Sequence, residues 1–146
     1  MSSEKDKLLI SVVVLFWINF ALFLMIIAGM YFNYIPFVGF ISVSLFMIIL
    51  AVFGVALIVL AKMAKITKIS KVFFILTGAS AIGMGLSVLL HNLIYAVLIK
   101  ILGGSAWAKT GDEPVFFILA TIVCPIALLV GVIGIIVLLA RRKIRL

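Results

Sequence analysis

Acidic side chains are nearly missing from this sequence: Asp and Glu number four against twelve Lys and Arg. All four, Glu4, Asp6, Asp112 and Glu113, stand outside the long apolar runs, so no carboxylate lies within a stretch suited to lipid. Histidine and cysteine occur once each, as His91 and Cys124. A single cysteine rules out an intramolecular disulfide, a dithiol redox motif and a thiolate metal cage. An enzyme needs a nucleophile with a base, a metal cluster or a cofactor cradle, and this inventory supplies none of them within one chain. The sequence therefore points to no catalytic residue, no metal site and no cofactor. No Asn-x-Ser/Thr sequon occurs, so a glycosylated outer loop gains no support. The first apolar run is too long for the core of a signal peptide and lacks an Ala-x-Ala cleavage site, which predicts that it remains as a span.

What the chain has in abundance is hydrocarbon. Hydrophobic residues make up 68% and charged residues 11% of its 146 positions, whereas a soluble domain is apolar over roughly half of its residues. Four runs, Leu8 to Phe32, Phe37 to Ala61, Val72 to Ile99 and Pro114 to Ala140, are each long enough to cross a hydrocarbon core, which takes about 20 residues of helix. Backbone amides in lipid must bond within their own segment, and the runs lack the alternation of barrel strands, so helix is the expected conformation. The expected fold class is all-α, a four-helix transmembrane bundle forming one integral membrane domain over 1–146. A basic loop, 62–71, and a second loop, 100–113, separate its spans.

Basic residues crowd every second gap. Lys5 and Lys7 precede the first run, Lys62, Lys65, Lys68 and Lys71 lie between the second and third, and Arg141, Arg142, Lys143 and Arg145 follow the fourth; only Lys100 and Lys109 fall elsewhere. By the positive-inside rule both termini and loop 62–71 are cytoplasmic, and loop 100–113 is outside. Tyr31, Tyr34, Tyr95 and Trp107 then all map to the outer side, where amphipathic rings favour the headgroup level. The short link Asn33 to Pro36 predicts an antiparallel first pair of helices, with Pro36 opening the second. A faint echo between Gly54 to Lys62 and Gly134 to Arg141 fits two helical hairpins repeated in parallel. The net charge of +8 reads as topology and as contact with anionic headgroups through Lys62, Lys65, Lys68, Lys71, Arg141 and Arg142, not as a nucleic-acid surface. The three-residue lysine spacing, with Ile66 and Ile69 between, also suits a short amphipathic turn on the bilayer.

The third run is rich in small residues. Ala79, Gly83 and Ser87 recur every four positions, and the ridge continues into His91 and Tyr95, which predicts a face packed against protein. Ala120, Cys124, Ala127, Gly131 and Gly134 offer a matching surface on the fourth run, so these two helices are expected to pack together or with copies of themselves. His91 and Asn92 are the most polar pair within any run. Matching depths places His91 beside Thr121, whose carbonyl Pro125 leaves open. A hydrogen bond to that carbonyl is the structural role; a proton-responsive or substrate-binding group is the functional one. Asp112 and Glu113, just before Pro114, suit the N-terminus of the fourth helix, with cation gathering as the sharper alternative. Asn19 is expected to bond between helices, and Cys124 to be a small residue beside a kink.

Two functions remain. An accessory or scaffolding subunit would bind another membrane protein through small-residue faces, and uses only features that are present. A homo-oligomeric transporter or channel would gather His91 residues around a shared cavity. Proton-driven exporters of the small multidrug resistance type also have four short spans, but they depend on a carboxylate in the first helix. This chain has Asn19 there, and the likeness stops at size. An uncleaved multipass chain of this kind belongs in a cell membrane.

Overall fold

The computed structural model describes residues 2–32, 40–102 and 114–141. Every described element is helical: α1 (Ser2–Phe32), α2 (Phe40–Met63), α3 (Lys68–Leu102) and α4, which runs over Pro114–Ala140 with a wide turn inside it. All four are long and apolar enough to cross a membrane. The link expected over Asn33 to Pro36 lies outside the described residues, as do Asp112, Glu113, Trp107 and Arg142.

α1, α2 and α4 each bury a stripe whose members recur every three or four residues. On α1 it is Val12, Phe16, Asn19, Phe23 and Ile26; on α2 it is Met47, Leu50, Gly54, Leu57 and Ala61; on α4 it is Leu128, Val132, Ile135 and Leu138. That repeat keeps one seam facing its neighbours along the helix length. The opposite faces are just as apolar: Ile10, Val14, Trp17 and Leu24 on α1, and Ile122, Ile126, Leu129 and Ile133 on α4, are all exposed. A bundle oily both inside and out has no stable place in water, where contiguous apolar patches of this size are avoided. The chain is accordingly compatible with a small multipass membrane protein.

α3 is the central element. It packs against both α2 and α4, while α1 packs mainly on α2 and reaches α3 through an edge-to-face contact of Phe16 on Phe74, with ring centroids 5.8 Å apart. The α2–α3 seam closes on glycine. A Cβ built on Gly54 would stand 2.7 Å from the Gly78 carbonyl oxygen, and one on Gly78 would stand 2.7 Å from the Gly54 oxygen. One heptad along, a Cβ on Gly85 would meet Ala51 Cβ at 2.8 Å and the Met47 oxygen at 2.9 Å. Such approach brings Cα–H groups onto carbonyl oxygens and adds dispersion contacts that lipid does not match.

α3 begins earlier than its hydropathy predicts, at Lys68 and not at Val72. The reason is a cap: Thr67 Oγ1 accepts the Ser70 N–H at 3.3 Å and pairs with Ser70 Oγ at 2.8 Å, satisfying first-turn groups that hydropathy does not register. The connection from α2 is thereby cut to residues 64–67. Gly78→Val should lower the thermal stability of the purified protein in detergent by about 1–3 kcal/mol, the usual cost of overpacking. Gly29→Ala, where a Cβ meets nothing within 4 Å, should leave it unchanged or slightly raised.

Candidate functional site

The α3–α4 interface gathers Gly83, Cys124, Gly131 and Gly134 among the residues that sequence reasoning singled out. Thr77, Ser80 and Ser87 are buried along α3, and Thr77 Oγ1 donates to the Phe73 carbonyl at 3.0 Å. Opposite them, a Cβ on Gly131 would strike Thr77 Oγ1, and one on Gly134 would strike the Phe73 ring. A Cβ on Gly83 would meet Cys124 Sγ at 2.7 Å. These pairs step along the two helices in opposite directions, which fixes an antiparallel register. Gly83, Ser87, Gly131 and Gly134 therefore serve contacts within the chain. Ala79, the first member of the expected ridge, is exposed, because it lies on the side of α3 turned away from both neighbours.

The same register corrects the expected pairing at the far end of α3. It brings Phe117, not Thr121, to His91: the two rings lie 6.3 Å apart and tilted by 52°. Thr121 falls about a turn away, level with Ser87, and its hydroxyl donates back to the Phe117 carbonyl at 2.7 Å. The expected pairing aligns the ends of the two runs, Ile99 with Pro114, whereas the contacts of Phe73 with Gly134, Thr77 with Gly131 and Gly83 with Cys124 already set a register about one turn away. Between Leu119 and Val123 α4 makes a π-helical turn in which the Cys124 N–H donates to the Leu119 oxygen, five residues back. Pro125 has no N–H to give, and the helix absorbs that loss by widening over one turn. His91 and Asn92 are half-buried and Tyr95 is exposed, and α3 has no buried residue among positions 88–101.

Asn19 is wholly buried in the α1 stripe. The expected bond between helices is not what it makes: Nδ2 donates to the Leu15 carbonyl of its own helix at 2.9 Å, and Oδ1 finds no partner among the described residues. A self-satisfying amide is a short-range alternative always open to Asn within a helix.

At the opposite end of the bundle stand Lys62, Lys65, Lys68 and Arg141, all exposed, with Lys71 half-buried. Lys71 has a structural role. Its Nζ donates at 3.1 Å to the Lys62 carbonyl, one of those that the C-terminus of α2 leaves open. Ile66 packs against the core while Ile69 is exposed, so the lysine-spaced segment divides between core and surface. Among the described residues no three His, Cys, Asp or Glu come together.

No protein-family model, no curated protein and no solved structure matches this chain.

Sequence reasoning passed over Gly54, Gly78 and Gly85 as a packing set. The seven-residue spacing of Gly78 and Gly85 was the available signal. The His91 pairing has a direct check in the NMR signals of the imidazole protons in the micelle-bound protein. Phe117→Leu should shift them by removing the neighbouring ring current, whereas Thr121→Val should leave them in place.

Proposed function

We propose that this chain is an accessory or scaffolding subunit of a cell membrane, its work being to hold another membrane protein, or a second copy of itself. In this reading both termini and loop 62–71 are cytoplasmic, and the four helices form two antiparallel hairpins. One observation carries it: the interior is closed by backbone contact at Gly54 and Gly78 and by the fit of Cys124, Thr77 and Phe73 against the glycines opposite. That leaves outer faces as the place where the molecule can act.

Because Gly83, Ser87, Gly131 and Gly134 are spent inside the chain, a partner has to be met elsewhere. α1 is embraced least, and its outer stripe combines bulk with space: Ile10, Val14, Trp17 and Leu24 are exposed, with Ala21 and Ala28 among them. Trp17 is 45% exposed near the middle of a span, and its indole N–H suits a neighbouring helix better than lipid tails.

A second reading, the homo-oligomeric transporter or channel with a polar site around His91, is favoured by the π-helical turn beside the His91–Phe117 contact, since such turns recur at functional sites. Depth weakens it. At about 1.5 Å per residue, His91 stands about 29 Å along α3 from Val72, at the far limit of a hydrocarbon core of about 30 Å.

Native mass spectrometry of the protein gently extracted from its own membrane should recover a stoichiometric partner or a second copy. Ala21→Phe should abolish that association, and His91→Gln should preserve it. Solute or ion flux in vesicles holding this chain alone, lost on His91→Gln, would sink the accessory reading in favour of the transporter.

A further inference from the structure

The end of the bundle that carries the α2–α3 connection holds more positive charge than the chain itself neutralises. Lys62, Lys65, Lys68 and Arg141 are exposed, and among the described residues none of them is joined to a carboxylate. The only described acids are Glu4 and Asp6, in the first turns of α1. α3 has no acidic residue in its first turn, and Lys71 is already engaged by the Lys62 carbonyl. Lys62, Lys65 and Lys68 therefore lie in and beside a four-residue connection that the Thr67 cap and the Lys71 tie keep short, and the register of α4 on α3 sets Arg141 level with that connection.

Large apolar side chains are set among these cations: Met63 is 63% exposed, Ile69 59% and Val72 61%. The stripe of α3 that begins at Lys68 continues through Val72, Ala79 and Leu86, all exposed and spaced by four, seven and seven residues, so they share one outward face. Ala79 makes a shallow step between two larger side chains. A cationic head above an apolar stripe with a step in it has the layout of one phospholipid: phosphate at the lysines, acyl chain along the helix.

We propose that Lys62, Lys65, Lys68 and Arg141 form a docking surface for an anionic phospholipid of the surrounding bilayer, whose acyl chain lies along Val72 and Ala79. Charge complementarity selects this occupant. A zwitterionic lipid brings a second cation into a cluster that already lacks anions, whereas a phosphate diester with an uncharged headgroup brings only the missing charge. The surface is separate from the outer face of α1 and stands whichever partner α1 meets.

The test uses the full-length protein in mixed vesicles of phosphatidylcholine and phosphatidylglycerol, released into the gas phase with its bound lipids and weighed. The wild type should retain phosphatidylglycerol in preference to phosphatidylcholine. Lys65→Gln together with Lys68→Gln should lower that retention roughly fivefold per lysine, the factor equivalent to about 1 kcal/mol for each cation at the surface. Lys68→Arg, and Lys100→Gln at the other end of α3, should keep it. Where the double variant is not recovered folded, Lys65→Gln alone reads the same effect, since Lys65 stands in the connection outside any helix. Equal retention of the two lipids by the wild type would overturn the proposal, as would a double variant that behaves like Lys100→Gln.

Discussion

The approach of two backbones at Gly54 and Gly78 is the constraint on which the rest of the structure depends. In lipid there is no hydrophobic gain from bringing helices together, so association rests on packing, and packing is tightest where side chains are smallest. Once α2 and α3 touch there, the 64–67 connection can be short, Lys71 comes within reach of the Lys62 carbonyl, and α3 presents its other flank to α4. The small residues of that flank, Gly83 and Ser87, are then consumed by Cys124 and its neighbours. The glycine contact thus decides which surfaces remain for anything outside the chain.

The number of membrane-length apolar helices was legible in the sequence because hydropathy and length determine it, whereas the start of α3 at Lys68 was not. Leu8 to Phe32 and Pro114 to Ala140 fall within or upon helices, and all four runs correspond to membrane-length helices. Helix faces were harder to read. In a soluble helix the polar side marks the outside, but here both sides are apolar, and small residues say only that something packs closely. The ridge through Ala79 was displaced for that reason: Gly83 and Ser87 lie at the seam, while Ala79 points away from it. The Thr67 cap was visible as Thr-x-x-Ser ahead of an apolar run, yet a hydropathy boundary is blind to it.

Register between helices was the least legible quantity. Pairing His91 with Thr121 assumes that the third and fourth runs begin and end level, and the contacts of α3 with the glycines and Cys124 of α4 offset them by about one turn. A proline in sequence announces a lost hydrogen bond without saying whether the helix bends, breaks or widens. Asn19 gave a similar lesson, because an amide among apolar residues has its own helix within reach as well as the neighbouring ones.

The order of contacts also bears on how the molecule is made. Helices leave the ribosome in chain order, and α1, which leans mainly on α2, enters the membrane before its main neighbour exists. α2 in turn waits for α3, the helix that supplies Gly78 and Gly85. The bundle has no well-packed intermediate until the third helix arrives, and α4 then adds to a formed surface. Until α3 is present, the close-packing face of α2 around Gly54 has no counterpart within the chain, and α3 closes it.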